Sequence, residues 1–215
     1  MAYKNILFDL DGTLTDPGVG ITNSVSYALA KYGIEVTDRT TLYPFIGPPL
    51  QDSFQKFYGF SETDSYEAIS YFREYFREFG IFENEVYPGI RELLETLRAE
   101  GNQIILATSK PEEFAIRILE HFDLIQYFDF VAGATMDETT RSEKADVIRY
   151  ALIECDIHDL SDTIMVGDRR HDVFGAAQNG IDTIGVLFGY GSEEELKEAG
   201  AKYLAMTPAD ILNYL

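Results

Sequence analysis

Ile6-Leu7-Phe8-Asp9-Leu10-Asp11-Gly12-Thr13 is a short apolar run of strand length that ends in Asp-Gly-Thr, a composition that stops a strand and opens a loop. The two carboxylates, Asp9 and Asp11, stand two residues apart at its end, and Gly12 lets backbone approach a ligand closely. One carboxylate of such a pair can attack phosphorus to form an aspartyl-phosphate, while the other protonates the leaving oxygen and later activates water. A bare Asp-x-Asp-Gly is more often a turn beside a solvated acid. The meaning of the pair therefore rests on what stands at the other strand ends.

Working outward, Ile21, Val25, Ala28, Leu29 and Tyr32 fall at helical spacing and Gly33 closes that helix. Tyr43 to Leu50 holds three prolines and a glycine, which reads as a shaped loop leading into a helix over Gln51 to Tyr58. Ile69, Phe72, Phe76 and Phe79 mark a third helix, ended by Gly80. After Pro88-Gly89 helices and strands alternate. A helix on Ile90, Leu93, Leu94 and Leu97 precedes a strand over Gln103 to Ala107, and a helix entered through Pro111 precedes a strand near Phe128 to Val131. A helix on Ala145, Ile148 and Leu152 leads to a strand over Thr163 to Val166, and a helix past Asp172 leads to a strand over Thr183 to Leu187. This rhythm implies an α/β fold with a parallel sheet covered on both faces. Ligands of such sheets sit at the carboxyl ends of the strands, near the point where strand order reverses.

Three further sites answer that expectation. The strand over Gln103 to Ala107 delivers Thr108, Ser109 and Lys110, whose hydroxyls and ammonium can hold a phosphoryl oxygen. Lys144 opens a helix, where the macrodipole mildly disfavours a cation, so a functional use is open there, beside the solvated face that is the default for a lone lysine. Thr163 to Val166 ends in Gly167-Asp168, with Asp172 four residues further on.

In order, Phe8 to Thr13 (FDLDGT), Ala107 to Lys110 (ATSK), Lys144 and Val166 to Asp172 (VGDRRHD) resemble the four motifs of the haloacid dehalogenase (HAD) superfamily, over essentially the whole chain. Within it the sequence is most similar to the phosphoglycolate-phosphatase and 5′-nucleotidase-like branch. The resemblance implies a doubly wound, Rossmann-like core over residues 1–14 and 84–215, with an inserted all-helical cap over 15–83. It implies Asp9 as nucleophile, Asp11 as general acid and base, Thr108 as a ligand of the phosphoryl oxygens and Lys144 as the counter-charge for nucleophile and phosphate. It further implies Mg²⁺ held by Asp9, the Asp11 main-chain carbonyl and Asp168, with Asp172 in or near the ring of residues just outside those ligands. The Phe45 to Leu50 loop of the cap, with Gly47, is the expected substrate contact, beside Gly12, Thr108, Ser109 and Lys110 on the core. Many relatives carry asparagine where Ser109 stands. Phosphatases of the family differ from its dehalogenases in having the second aspartate of the first motif, here Asp11. The expected activity is hydrolysis of a small phosphomonoester through an aspartyl-phosphate. The alternatives are a phosphosugar mutase, disfavoured because the Phe45 to Leu50 loop offers no arginine or lysine for a second phosphate, and a phosphate-accepting regulator without turnover.

Composition bounds the partners. With 46% hydrophobic and 25% charged residues among 215, the chain is neither disordered nor fibrous, and a net charge of −20 is the wrong sign for a nucleic-acid polymer or an anionic membrane surface. An anionic substrate must then be met by a metal or by a few placed lysines. The lone Cys155 and an apolar N-terminal run too short for a signal segment lead to the expectation of a cytoplasmic protein, monomer or homodimer. Thirteen of the 29 aromatic residues lie between Tyr43 and Phe82, either to stack on a base or to build the small core a four-helix cap requires. Gly18 to Asn23 and Gly189-Tyr190-Gly191 fail as dinucleotide fingerprints, His171 reads as polar filler, and Glu193-Glu194-Glu195 reads as a favourable first helical turn.

Overall fold

The computed structural model describes residues 3–136, 140, 141 and 143–215. The chain packs as two compact units, Met1–Thr15 with Val86–Leu215, and Asp16–Glu85. In chain order the elements are β1 (Asn5–Phe8), β2 (Thr15–Asp16), α1 (Gly18–Lys31), α2 (Leu50–Tyr58), α3 (Glu62–Tyr75) and β3 (Glu85–Val86). There follow α4 (Ile90–Glu100), β4 (Gln103–Pro111), α5 (Glu112–His121), β5 (Phe130–Ala134), α6 (Lys144–Glu154) and β6 (Thr163–Gly167). Last come α7 (Arg170–Gln178), β7 (Asp182–Val186), α8 (Glu193–Ala199), β8 (Tyr203–Ala205) and α9 (Pro208–Ile211). Strands β2 and β3 pair as a two-stranded ribbon. Among the described residues no helix is long and apolar enough to cross a membrane.

The larger unit is built on one six-stranded sheet in the order β5-β4-β1-β6-β7-β8, with every neighbouring pair parallel. The chain lays strands outward from β1 on one side through β4 and β5, then returns to the other side of β1 with β6, so strand order reverses at the β1/β6 boundary. Register places Leu7 between Ile105 and Met165, and Phe8 between Leu106 and Val166, all fully buried. Continuous apolar strands of this kind are what a sheet covered on both faces requires. The register also brings Asp9, Thr108 and Asp168 out at neighbouring strand ends. Helix α4 puts Ile90, Leu93, Leu94 and Leu97 on one buried face and stops at Gly101, whose φ of +83° suits a left-handed cap.

Some elements differ from the sequence reading. β5 begins two residues later than Phe128, which instead ends a 3₁₀ turn over Ile125–Tyr127, and it runs through Ala132-Gly133-Ala134. Those small residues hide the strand from a hydrophobicity pattern, yet they are needed: a Cβ on Gly133 would stand 2.6 Å from Glu112 Cα. The three-residue edge strand β8 was too short to be read at all.

The smaller unit contains three α-helices, not the four expected of a cap, together with a 3₁₀ turn over Arg39–Phe45 and a π turn over Phe76–Gly80. The third helix therefore ends at Tyr75, and the π turn carries the chain past α1 at close range. A Cβ on Gly20 would lie 1.9 Å from Gly80 O. Phe45, Phe54, Phe72 and Phe76 are buried and the rings meet one another, Phe45 with Phe54 at 5.1 Å and Phe72 with Phe76 at 5.3 Å between centroids. Much of the aromatic excess is thus this unit's own core, while Tyr43, Phe57, Tyr66, Phe79 and Phe82 remain exposed.

Leu7 occupies the middle of the central strand. Leu7→Ala should destabilise the larger unit by about 2–5 kcal/mol, the cost of a cavity that two neighbouring strands keep from collapsing. Urea unfolding followed by circular dichroism measures it, and a loss under about 1 kcal/mol would show that this position is not packed as described.

Candidate active site

Strand β1 ends at Phe8, and the Asp9 amide still donates to Val166 O at 2.9 Å, so its carboxylate is presented at the sheet end by continued strand pairing. Asp168 follows β6 directly, and Asp172 lies in the first turn of α7. One carboxylate oxygen from each of Asp9, Asp168 and Asp172 lies within 4.8 Å of the other two, and all three residues are buried. Lys144, the first residue of α6, reaches into this group. Its Nζ stands 2.8 Å from Asp9 Oδ1 and 2.8 Å from Asp172 Oδ1, and donates to Ala107 O at 3.0 Å. Solvation, the ordinary fate of a lysine at a helix start, is excluded by a side chain only 4% exposed.

Glycines make this crowding feasible. At Gly12, whose φ is +83°, a Cβ would stand 2.3 Å from Asp168 Oδ2, and at Gly167 it would stand 2.2 Å from Asp172 Cγ. Gly175 on α7 similarly leaves room for the Lys144 stem, with a Cβ there 2.8 Å from Lys144 Cγ. Gly189-Tyr190-Gly191, dismissed above as a failed fingerprint, completes the wall: a Cβ on Gly189 would meet Asp168 Cβ at 2.5 Å, and the Tyr190 amide donates to Asp168 Oδ2 at 2.7 Å. The available signal was position, since this segment follows closely on the carboxyl end of β7.

One ammonium does not balance three buried carboxylates. Burial, reinforced by the charges of Asp172 and Asp9, pushes Asp168 well above the usual carboxylate range. Asp172 is raised to about 6 by burial, with the Lys144 ammonium opposing and Asp9 adding to the rise. For Lys144, burial works to lower the pKa, but the Asp172 and Asp9 carboxylates outweigh it and hold the ammonium above its ordinary value. Asp168 Oδ1 is buried without a hydrogen-bond partner. A set of hard carboxylate oxygens, excess negative charge and an orphaned oxygen fit a divalent cation of the hard class.

A second pair lies beside the first. Asp11 Oδ2 is 2.5 Å from Lys110 Nζ, with both side chains almost wholly buried. Burial raises the Asp11 carboxyl, the Lys110 ammonium opposes, and the Asp9 charge adds to the rise. Thr108 is buried, and its Oγ1 accepts from the Lys110 amide at 3.2 Å, while Ser109 is partly exposed at the same strand end. The structure thus brings Asp9, Lys144 and Asp172 into direct contact, holds Asp168 within 4.8 Å of both acids, and sets Asp11 with Lys110 next to Thr108. The Asp11 carboxylate is engaged by Lys110 and is not part of the three-acid group. Gly47 belongs to the helical unit, where it takes a φ of +103° in the loop before α2.

The sequence profile of the haloacid dehalogenase-like hydrolases matches residues 6–186. The chain belongs to this hydrolase family. A 5′-nucleotidase of Pseudomonas aeruginosa is 47% identical over 197 residues, covering 92% of this chain and 88% of its own. A crystal structure described as a predicted phosphatase from Clostridium acetobutylicum superposes with a TM-score of 0.96 at 48% identity, covering 100% of this chain and 98% of that one. The tyrosine-protein kinase PtkA of Mycobacterium tuberculosis is 41% identical over 187 residues, which are 86% of this chain but 62% of that protein. The likenesses to the nucleotidase and to the Clostridium structure place this haloacid dehalogenase-like hydrolase among the family's phosphatases.

In this hydrolase the acid cluster costs stability when no cation is bound. Asp168→Asn keeps an oxygen to accept from the Tyr190 amide and removes a buried charge. It should stabilise the protein in EDTA by about 1–3 kcal/mol, raising Tm by a few °C. Differential scanning calorimetry checks this, and a lowered Tm would mean that Asp168 is not the strained member of the group.

Proposed function

We propose that this protein is a Mg²⁺-dependent phosphatase that hydrolyses a small phosphomonoester through a phospho-intermediate on Asp9. The observation that carries the reading is the Asp9–Lys144–Asp172 contact beside Asp168, whose Oδ1 has no hydrogen-bond partner among the described residues, at the switch point of the sheet. Lys144 holds the Asp9 carboxylate in place through its ion pair, so that one of its oxygens attacks phosphorus as the bond to the leaving oxygen breaks. Asp11, its carboxyl raised by burial, donates the proton that the leaving oxygen takes. The same carboxylate, now ionised, removes a proton from water as it attacks phosphorus. The bond from phosphorus to Asp9 breaks, freeing phosphate and restoring both acids.

Thr108, Ser109 and Lys110 hold phosphoryl oxygens, with the Gly12 backbone approaching from the first motif. Phosphoryl transfer asks chiefly for positioning and charge neutralisation, which these groups provide. The metal's holders are the Asp9 and Asp168 carboxylates and the Asp11 main-chain carbonyl, with Asp172 joining them or steadying them. When bound, Mg²⁺ supplies further neutralisation of the phosphoryl charge.

The helical segment 15–83 acts as a cap that selects the leaving group, through the loop holding Gly47. Nucleoside 5′-monophosphates lead the candidate substrates, on the likeness to the P. aeruginosa enzyme, and exposed rings such as Tyr43 and Phe57 offer faces of the kind that stack on a base. A second reading, phosphoryl transfer to a hydroxyl acceptor, is favoured by the likeness to a chain named a tyrosine kinase. It differs in leaving phosphate on tyrosine in place of releasing it.

Phosphate release from nucleoside monophosphates, phosphoglycolate, sugar phosphates and pyrophosphate, each with Mg²⁺ and with EDTA, tests the reading. Turnover should require the metal, and Asp9→Asn should reduce it by at least about 10³-fold in folded protein. Substantial activity in that variant would defeat the covalent mechanism. Metal binding should also depend on pH. Asp172, at about 6 when folded against about 3.9 in a free chain, binds a proton more tightly in the native state, so metal-free stability falls as pH rises through that window. A bound cation removes this loss, and the Mg²⁺-induced rise in Tm should therefore be larger at pH 7.5 than at pH 5. Equal rises at both would show that the acids do not titrate against the metal.

A further inference from the structure

The acidic run at the start of α8 is not uniform. Ser192 caps the helix by accepting from the Glu195 amide at 3.1 Å, and the macrodipole accounts for acids in this turn generally. Glu193 fits that account, with a side chain 57% exposed, but Glu195 is only 12% exposed and turns back toward β6. Its Oε1 accepts from Arg169 Nε at 3.0 Å and from the Arg170 amide at 3.0 Å, and lies 3.4 Å from Arg170 Nε. Arg169 and Arg170 occupy the turn that separates Asp168 from Asp172. On the other side of the same turn the Arg169 amide donates to Asp172 Oδ2 at 3.0 Å. The chain leading into α8 is itself pressed on Asp168, since a Cβ at Gly191 would stand 1.8 Å from the Asp168 carbonyl oxygen.

We propose that Glu195 is a positioning residue for the cation site: it fixes the Asp168–Asp172 turn and cancels the arginine charge beside it, and so sets the affinity for a divalent metal. The inference rests on the metal reading given above. Two effects act in the same direction. Geometrically, one carboxylate oxygen ties a backbone amide and a guanidinium of the same turn, so that Asp168 and Asp172 hold their spacing before any cation arrives. Electrostatically, the Glu195 carboxylate lies against the guanidinium of Arg169, the residue after Asp168, and so weakens the repulsion this cation exerts on a second one. Partners that orient ligating carboxylates in this way typically govern metal affinity by about 10–100-fold.

The test uses the full chain without substrate, titrated with Mg²⁺ while Tm is followed, for the native protein, Glu195→Ala, Glu195→Gln and the exposed-neighbour control Glu194→Ala. Glu195→Ala should raise the half-saturating Mg²⁺ concentration by about 10-fold or more. Glu195→Gln keeps one acceptor oxygen and should fall between, and Glu194→Ala should match the native protein. In turnover the same order should appear in the metal concentration for half-maximal rate, with kcat largely restored at saturating metal. A Glu195→Ala protein that has a lower metal-free Tm but the native half-saturation would overturn the proposal and leave Glu195 a merely structural residue. A native protein whose Tm does not respond to Mg²⁺ would instead overturn the metal reading, and the role assigned to Glu195 with it.

Discussion

A single ammonium buried between two carboxylates, with a third at hand, is the constraint to which the rest of the larger unit answers. Lys144 cannot reach water, so its charge is tolerable only because Asp9 and Asp172 each stand at 2.8 Å. The acids are equally dependent on it. Removing either partner of such a set leaves an uncompensated charge in a medium that solvates it poorly. Yet three carboxylates against one cation remain in deficit, and the deficit falls on Asp168, whose Oδ1 has neither a hydrogen-bond partner nor an ion pair among the described residues. Such a site is pre-organised for a charge that arrives from outside, at the expense of the metal-free fold.

The sheet exists in a form that can hold this arrangement. A parallel order winding both ways from β1 brings the ends of β1, β4 and β6 side by side, and α6 and α7 pack closely enough for their first turns to meet. Close meeting requires missing side chains. Gly12, Gly167, Gly175, Gly189 and Gly191 each lie where a Cβ would strike an aspartate of the cluster or Lys144. The backbone also contributes where side chains do not: the Tyr190 amide holds one oxygen of Asp168, and the Arg169 amide holds one of Asp172.

Much of this was legible because it follows local rules. Apolar runs such as Ile104 to Ala107 identify buried strands, and the residues just past them identify strand ends, so Asp9, Thr108 and Asp168 could be grouped before any coordinates. Lys144 stands against the dipole preference of a helix start, which marks it in the sequence. What escaped reading depends on tertiary approach. Ala132-Gly133-Ala134 has little strand character of its own and becomes β5 because the start of α5 lies against it. Gly80 ends a helical pattern on paper, whereas in space it is where a π turn passes α1. The burial of Glu195 is of the same kind, since nothing in three successive glutamates marks which one faces inward.

The chain's charge of −20 acquires a meaning beside this local geometry. Charges spread over the surface act through water and salt, and beyond about 8 Å at physiological ionic strength they are largely screened. The cations that decide recognition of an anion are therefore those held within a few ångströms and out of solvent. Here the Lys144 and Lys110 side chains are both nearly fully buried, and each is committed to an aspartate of the site. An acidic surface repels phosphate weakly and divalent cations not at all, so it favours loading of the one charge the cluster lacks. Under the proposed function, that charge would turn the site from a concentration of negative charge into a receptor for it, and the surrounding acidity would cease to oppose the substrate where contact is made.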